Sequence, residues 1–457
     1  MKKYIEKSID KYANDLSLGM PGHKGKNYFD LDIKRDLTEF LETDNLLSPK
    51  GVIKKSQEEL ARIFSSKYSF YIPNGSSGAL NIAISALAKG KDRVLVQRNA
   101  HKSIINSIII NDLDPIYIEA KYDEDNALFL GIEIEKLEKI LETESINLAI
   151  FVSPNYYGAI LKLREIVDLC HRKGVPVIVD EAHGSHLYFS KLKSLAGNLS
   201  GADIVINSTH KTLPSLTQTA ILHVNTDVVD RDKILKYINL FTTTSPSFLL
   251  LISQEEGISL MEKEGYERLD LLETELGKIK KEEKISSYII KDPTISAYDP
   301  MKFLFRLPNL SGFEIVKKFH LEYNIRLEMG DLYYALAIFS PMTSTKDLRK
   351  FTGILGKYKK GQYNKIMRVK FPKPQKLISP RRAFDSGSVF KPLRESKGMI
   401  CASSIFLYPP GVPLVSYGEK ITGEVIDFIE DYLDKGLEVV GINDGKIEVV
   451  NESIYNF

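Results

Sequence analysis

Ser208-Thr209-His210-Lys211 follows the apolar run Ala202-Asp203-Ile204-Val205-Ile206, which has the composition of a buried β-strand. A second such run, Val175-Pro176-Val177-Ile178-Val179, ends directly before Asp180. The lysine and the aspartate therefore each come at the carboxyl end of a predicted strand. Because ligands bind outside the carboxyl ends of parallel strands, the sequence predicts that both side chains face one site.

An acid and an amine in this arrangement suit a site for pyridoxal 5'-phosphate (PLP). The amine forms a Schiff base with the coenzyme aldehyde, and the acid pairs with the pyridinium nitrogen. Lys211 and Asp180 are therefore the candidate coenzyme-binding and catalytic residues. Neither residue alone supports this interpretation, but their order, spacing and strand-end positions together do.

The bulk composition excludes several other classes of protein. The 457 residues include 62 basic and 60 acidic side chains, and this balanced charge does not favour a nucleic-acid surface. The two cysteines lie far apart and cannot form a disulfide framework. No window approaches the ~18 apolar residues that a membrane span needs, and the N-terminus lacks the apolar region of a signal peptide. We therefore expect a cytoplasmic protein without nucleic-acid or membrane partners.

Short apolar strands alternate with helical segments from about residue 56 onwards. The predicted strands are Arg93–Val96, Pro115–Ile118, Leu148–Val152, Val175–Val179, Ile204–Ile206 and Ala220–Val224. The predicted helices include Ser56–Ser66, Ile134–Glu142 and Leu161–Lys173. This alternation predicts an α/β fold with a mostly parallel sheet, of the seven-stranded type, sandwiched between helices.

We expect three regions along the chain. Residues 1–55 are polar and rich in glycine and proline, which is typical of an arm over a larger body. Residues 56–300 form the large PLP-binding domain, and residues 301–457 form a smaller C-terminal α+β region with a sub-boundary near 360–380. A charged helix from about Ser253 links the two, and the apolar run before it, Phe248–Ile252, is expected to be fully buried.

Asn74-Gly75-Ser76-Ser77-Gly78 follows a predicted strand and opens a helix. Small residues let backbone N–H groups approach a phosphate, the hydroxyl groups add donors, and a helix N-terminus supplies positive potential. The segment therefore predicts phosphate binding. The alternative is an ordinary strand–helix turn capped by serine.

Three histidines and a hydroxyl cluster are weaker candidates. His101 lies just past a predicted strand and could stack on a coenzyme ring, although a surface loop is the commoner place for such a histidine. The cluster Phe241–Ser247 predicts a helix N-cap. It contains more hydroxyl groups than one cap needs, and the others could contact a phosphate. His183 and His186 lack the helical spacing that aims two rings at one ion, so we expect no metal.

Beyond these patterns, the chain resembles the bacterial ornithine/lysine/arginine decarboxylase family, PLP enzymes with the aspartate-aminotransferase-like fold (fold type I). The resemblance extends over nearly the whole length and rests on motifs in the family order. They are Pro21-Gly22-His23-Lys24-Gly25, Asn74-Gly75-Ser76-Ser77, Arg98-Asn99-Ala100-His101-Lys102-Ser103, Pro154-Asn155-Tyr156-Tyr157-Gly158, Asp180-Glu181-Ala182-His183-Gly184, Ser208-Thr209-His210-Lys211, Thr243-Thr244-Ser245-Pro246, Glu328-Met329-Gly330-Asp331, Ser379-Pro380-Arg381-Arg382-Ala383-Phe384 and Tyr408-Pro409-Pro410-Gly411-Val412-Pro413.

The resemblance implies a role for each matched residue. Lys211 is the Schiff-base lysine, Asp180 pairs with the ring nitrogen, and His101 stacks on the ring. The remaining implied coenzyme contacts are Ser76, Ser77, Ser208 and His210 to the phosphate, His183 beside the ring, and Thr244 and Ser245. The last two would reach the site of a partner subunit, because this fold usually places its active sites at the interface of a homodimer.

The implied reaction is decarboxylation of lysine, arginine or ornithine to the amine and carbon dioxide, in polyamine biosynthesis. Lys211, or an acid such as His210, returns a proton to Cα. A basic substrate needs an acidic contact, for which Glu328 and Asp331 are candidates, although both could be solvated acids on a helix. Longer family members carry an N-terminal receiver-like domain, whereas this sequence starts almost directly at the motif Pro21-Gly22-His23-Lys24-Gly25, so we expect a short form without that domain.

Two alternatives remain open from the sequence. An aminotransferase or lyase could use the same scaffold, with an arginine such as Arg326, Arg381 or Arg382 anchoring the α-carboxylate. A catalytically silent PLP-binding protein is the second alternative. The presence of both Asp180 and Lys211 counts against it.

Overall fold

The structure is a computed structural model, and it describes most of the chain. The described residues are 15–27, 32–39, 42–281, 287–288, 290–358, 361–367, 370–407, 412–435 and 438–451. The Tyr408–Gly411 part of one quoted motif, the first fourteen residues of the expected arm and the end of the expected linking helix lie outside them.

The strands are numbered in chain order. They are β1 (Leu16–Leu18), β2 (Tyr68–Ile72), β3 (Arg93–Gln97), β4 (Asp114–Ile118), β5 (Tyr122–Asp123), β6 (Leu128–Phe129), β7 (Leu148–Val152), β8 (Ala159–Leu161), β9 (Val177–Asp180), β10 (Ile204–Asn207), β11 (Ala220–Val224), β12 (Ser287–Tyr288), β13 (Ile295–Tyr298), β14 (Lys302–Phe305), β15 (Ile325–Leu327), β16 (Met329–Gly330), β17 (Ala335–Ile338), β18 (Ser388–Pro392), β19 (Ile405–Leu407), β20 (Val412–Val415), β21 (Val439–Val440), β22 (Ile442–Asn443) and β23 (Lys446–Val450).

The α-helices are numbered in the same way. They are α1 (Val52–Phe64), α2 (Gly75–Leu87), α3 (Lys102–Ile110), α4 (Ile134–Thr143), α5 (Leu163–Arg172), α6 (Thr209–Thr212), α7 (Arg231–Phe241), α8 (Phe248–Lys281), α9 (Gly312–Tyr323), α10 (Thr345–Leu355), α11 (Pro380–Asp385) and α12 (Gly423–Asp434). Short 3-10 helices cover Ile33–Arg35, Ser185–Phe189, Lys193–Leu195 and Leu393–Ser396. None of the described helices is long and apolar enough to cross a bilayer.

A seven-stranded sheet in the order β2-β11-β10-β9-β7-β3-β4 forms the centre of the molecule. Neighbouring strands are parallel except β11, which is antiparallel to both β10 and β2. Successive residues of one strand face opposite cores: Ile178 packs with helices α2, α3 and α7, whereas Val179 packs with α4 and α5. The predicted α/β fold with a mostly parallel, helix-covered sheet is therefore confirmed, and its strands are apolar throughout because both faces are buried.

Smaller sheets follow in the second half of the chain. One has four strands in the order β12-β14-β17-β16, and β1 of the N-terminal segment pairs in parallel with β15. Two three-stranded sheets, β18-β23-β22 and β20-β19-β21, share a separate core with α12. The expected domain boundaries stay a prediction.

Several predicted elements differ from the structure for identifiable reasons. Strand β9 begins at Val177 because Pro176 has no N–H to donate to a ladder. The predicted helix from Leu161 begins at Leu163, since Leu161 ends β8, which pairs with β13. The run Phe248–Ile252 opens α8 and is not fully buried, because only Leu251 of the five residues is buried and the others are partly exposed.

A buried ion pair joins the C-terminal region to the large sheet. Arg98, directly after β3, donates from Nη2 to Oε2 of Glu419 at 2.8 Å, and its Nη1 contacts the other carboxylate oxygen. The guanidinium group also lies 4.5 Å from the ring centre of Tyr117. The planar guanidinium group matches both carboxylate oxygens, so this contact holds the C-terminal region against the end of β3. His101 follows Arg98 by three positions in the chain, and the contact therefore lies close to that residue.

Candidate active site

A cavity of about 510 Å³ opens at the carboxyl ends of the central strands. Five residues that the sequence singled out line it: Ser76, His101, Asp180, His183 and Lys211. They come from four separate strand ends, which the parallel topology brings to one edge of the sheet.

Asp180 is the last residue of β9, in register with Val152 of β7 and Ile206 of β10. Its carboxylate is buried and accepts a hydrogen bond from the backbone N–H of Ala182 at 3.1 Å. Burial raises the pKa of Asp180, and the positive charge of Lys211 opposes the increase. A buried carboxylate of this kind is ready to pair with a buried cation.

Lys211 is on the short helix α6, directly after β10. Burial lowers the pKa of Lys211, whereas the negative charges of Asp180 and Glu328 raise it. The Nζ atom lies 3.2 Å from Nε2 of His183. The lowered pKa makes the uncharged, nucleophilic amine more accessible than it is on a surface lysine.

His183 lies next to Lys211 in a buried position. Its ring contacts Tyr156 edge to face, with ring centres 5.0 Å apart. Its second nitrogen, Nδ1, lies 3.0 Å from Nζ of Lys302. Burial, followed by the charges of Lys211 and Lys302, holds the pKa of His183 well below its usual range, so the ring is neutral.

His101 caps the N-terminus of α3, where its Nδ1 accepts a hydrogen bond from the backbone N–H of Ser103 at 3.2 Å. His101 is exposed towards the cavity mouth but its ring is partly withdrawn from water, and this desolvation, with the nearby charges of Lys211 and Lys102, lowers the pKa of His101 to about 4. A flat, uncharged ring therefore faces the cavity. An aromatic ligand could stack on such a surface.

The N-terminus of α2 supplies the features of an anion site. Gly75 opens the helix with a φ of +75°, which favours glycine, and Ser76 and Ser77 follow it. The first backbone N–H groups of a helix have no partner within it and point out of its end. Among the described side chains, the buried Ser208 hydroxyl also has no hydrogen-bond partner.

Not every predicted residue faces the cavity. Ser77, Ser208 and His210 do not line it, and Nδ1 of His210 lies 2.8 Å from the carbonyl oxygen of Thr219. Since a carbonyl can only accept, Nδ1 carries the proton. Thr244 and Ser245 are exposed between α7 and α8 and do not line the cavity.

The two acids considered for substrate recognition are already engaged. Glu328 accepts hydrogen bonds from the Tyr156 hydroxyl and from the backbone N–H of Met20, both at 2.6 Å. Asp331 accepts from the Tyr157 hydroxyl at 2.8 Å and from two backbone N–H groups. Neither lines the cavity. The alternative that the sequence left open, solvated acids on a helix, does not hold either, because both residues flank the strand β16.

Three residues near the site were missed by sequence reasoning. Tyr156 and Glu438 line the cavity, and Lys302 contacts His183 behind it. Tyr156 stands in a quoted motif without an assigned role. Lys302 begins an apolar strand, and a lysine at that position predicts an exposed strand end. The nearby acid Asp299 is the one sequence feature that could have indicated a buried lysine.

The donor set fits PLP. A buried carboxylate, a lysine of lowered pKa, a neutral ring and a helix N-terminus surround one cavity, and these match the pyridine nitrogen, the aldehyde, the ring face and the phosphate of that coenzyme. No arginine is among the lining residues of the described chain, so Arg326, Arg381 and Arg382 do not provide a carboxylate anchor there.

Comparisons with known proteins agree with this geometry. Residues 20–287 match the family model described as "Orn/Lys/Arg decarboxylase, major domain". The chain is 32% identical to the arginine decarboxylase of Bacillus subtilis (strain 168) over 94% of this chain and 93% of that protein. It is 30% identical to the arginine decarboxylase of Bacillus anthracis over 96% and 94%. The lysine decarboxylase of Francisella novicida shares the fold, with a TM-score of 0.77 at 21% identity, over 89% of this chain and 73% of that one.

Proposed function

Since this chain belongs to the Orn/Lys/Arg decarboxylase family and is a PLP-dependent decarboxylase of a basic amino acid, we propose that its substrate is arginine. One observation carries the choice of arginine. The relatives that align over more than nine tenths of both chains, at 30% identity or more, are named arginine decarboxylases. The lysine decarboxylase structure supports the fold alone.

We propose the following division of labour among the site residues. Asp180 pairs with the ring nitrogen of PLP, Lys211 holds its aldehyde, His101 covers its ring, and the first turn of α2 at Ser76 binds its phosphate. Bound PLP supplies an electron sink for the electron pair left when carbon dioxide departs. Lys211 then returns a proton from Nζ to the substrate Cα, a role that its lowered pKa supports.

His210 is a weaker candidate for the returning acid. It does not line the cavity, and its Nδ1 proton is engaged by the Thr219 carbonyl. Burial lowers the pKa of His210, so its other nitrogen carries no proton near neutral pH. These features favour Lys211 as the proton carrier.

Glu438 is the acid that we propose for the cationic end of the substrate. Asp180 and Glu438 are the two carboxylates among the described residues that line the cavity, and Asp180 is assigned to the coenzyme. Glu438 precedes β21 in the C-terminal region and is exposed. A carboxylate can accept two parallel hydrogen bonds from a guanidinium group, which makes it a suitable partner for arginine.

The substrate assignment is tested by incubating the PLP-loaded protein with arginine, lysine and ornithine and measuring the carbon dioxide released. We expect kcat/KM for arginine to exceed that for the other two by at least about tenfold, equivalent to about 1.4 kcal/mol of transition-state stabilisation. A preference for lysine or ornithine would refute the proposal.

Replacing Glu438 with glutamine is expected to raise KM for arginine by about tenfold to a hundredfold, because a charge-assisted contact contributes about 1.5–3 kcal/mol. The change in kcat should be smaller, since the guanidinium group lies far from the bond that breaks. Steady-state kinetics measures both. Glu395→Gln, an exposed glutamate of the same region outside the cavity, is the matched control. An unchanged KM would assign the contact to another acid, such as one from a partner subunit.

We also propose that the chain acts in the cytoplasm as a homodimer and contributes to polyamine biosynthesis. The exposed position of Thr244 and Ser245 supports the dimer, because side chains that serve a neighbouring site must protrude from their own subunit. Light scattering on the purified, PLP-loaded protein tests this idea. A mass equal to one chain would contradict it.

A further inference from the structure

The ring of His183 lies between two lysines, only one of which lines the cavity. Nε2 of the ring is 3.2 Å from Nζ of Lys211, and Nδ1 is 3.0 Å from Nζ of Lys302. Lys302 is the first residue of β14, and its side chain is fully buried outside the cavity. Lys302 therefore acts on the site from outside the cavity, through its contact with His183 and through its positive charge near Lys211.

The number of protons on the His183 ring restricts both lysines. A neutral imidazole has one N–H and one acceptor nitrogen. An ammonium group can only donate. If both contacts are hydrogen bonds, the lysine that faces the ring N–H must be a neutral amine that accepts from it, and the other lysine donates to the ring, as an ammonium group or as an amine.

Lys302 keeps its charge near neutral pH although it is buried. Burial lowers the pKa of Lys302 to about 8, with Asp299 and Glu328 opposing the decrease, so the group keeps its charge near pH 7. Although burial alone would raise the pKa of Asp299, His186 and Lys302 together hold it below its usual value, so Asp299 is ionised. Gly158 makes room for the lysine, since a Cβ atom there would lie 2.8 Å from Cγ of Lys302.

We propose that Lys302 is a positioning residue whose ammonium group donates to Nδ1 of His183 and thereby keeps the ring proton on Nε2, facing the nitrogen of Lys211. A nitrogen that faces an N–H group is stabilised as an acceptor, which for an amine is its uncharged form. Lys302 thus favours the form of Lys211 that attacks an aldehyde. This inference rests on the proposed role of Lys211.

The test measures the protonation of Lys211 directly. Coenzyme-free, full-length protein is mixed with PLP, and the rate of capture is followed by absorbance as a function of pH. The midpoint of this profile reports the pKa of Lys211, because only the neutral amine reacts. Other titratable groups near Lys211, His183 or Lys302 include Asp180, Glu328, His101, Asp299, His210, Lys24 and Tyr156, and none of them is substituted in the variants compared.

Lys302→Met is expected to raise this midpoint by about one pH unit. Lys211 loses a neighbouring like charge. In addition, Nε2 of His183 becomes free to accept a hydrogen bond from the ammonium form of Lys211. Both effects stabilise the protonated form of Lys211. Lys302→Arg keeps a charged donor and should restore the wild-type midpoint. A change in packing alone would lower stability without moving the midpoint.

Lys280→Met is the matched control. Burial also lowers the pKa of Lys280 to about 8, but its Nζ donates to the carbonyl oxygens of Pro300 and Lys302 at 3.3 Å. We expect this variant to lose stability and to keep the wild-type midpoint.

A folded Lys302→Met protein with the wild-type midpoint would overturn the proposal. If that variant does not fold, His183→Phe replaces it, since phenylalanine keeps a ring against Tyr156 and removes both nitrogens. An unchanged midpoint in His183→Phe would likewise overturn the proposal. A shifted midpoint in a protein that prefers lysine to arginine would support the role of Lys302 and refute only the proposed substrate.

Discussion

Replacing Lys211 with alanine is expected to reduce turnover by at least about 10⁴-fold, because the variant loses both the covalent attachment point of the coenzyme and the proton carrier. The coenzyme should still bind through contacts that do not involve this lysine. Carbon dioxide release under single-turnover and steady-state conditions measures the loss. An added small primary amine should recover part of the activity, since it can take the place of the missing side chain.

Two controls make this result specific to Lys211. Borohydride reduction of the PLP-loaded wild-type protein, followed by peptide mapping, should place the coenzyme adduct on Lys211. Lys233→Ala, on an exposed position of α7, should leave turnover and adduct unchanged. An adduct on a different lysine, or full activity of Lys211→Ala, would remove the basis of the proposed mechanism.

Replacing Asp180 with asparagine is expected to lower kcat by about 10³-fold with little change in the shape of the site, because an amide cannot hold a proton on the ring nitrogen as a carboxylate does. Since the negative charge of Asp180 raises the pKa of Lys211, its removal should also lower that pKa. The pH profile of coenzyme capture should therefore move towards lower pH.

Asp203 provides a matched buried carboxylate for comparison. It directly precedes β10, at the opposite end of the sheet from the cavity, and accepts a hydrogen bond from the backbone N–H of Val177 at 2.7 Å. Asp203→Asn should lower stability and leave kcat per folded molecule unchanged. Equal kinetic losses in the two variants would mean that Asp180 acts through folding and not through the coenzyme.

Much of the fold could be predicted because it depends on local patterns. Runs such as Leu148–Val152 are apolar at every position, which a strand requires when both of its faces are covered. Asp180 and Lys211 follow such runs directly, so parallel pairing was enough to predict that they share an edge. The incorrect predictions concern the ends of elements. The helix predicted from Leu161 begins at Leu163, because β8 pairs with a strand more than a hundred residues away.

The parts of the site that the sequence did not reveal depend on long-range contacts. Lys302 meets His183 across 119 positions of the chain, and Arg98 meets Glu419 across 321. Glu328 was a plausible substrate contact until the structure showed its two oxygens engaged by Tyr156 and Met20. Hydrogen-bond partners of this kind leave no periodic signal in the sequence.

The sequence by itself determined the α/β class, the strand ends that carry Asp180 and Lys211, and the coenzyme that this pair suits. These features follow from continuous apolar runs and from side chains placed within a few residues of a strand. The tertiary structure alone decided that Glu438 faces the cavity, that Asp331 does not, and that two lysines share one imidazole. The burial of these side chains, and the hydrogen bonds that they share, depend on which distant segments pack together. That packing is determined by the fold as a whole and not by any local segment.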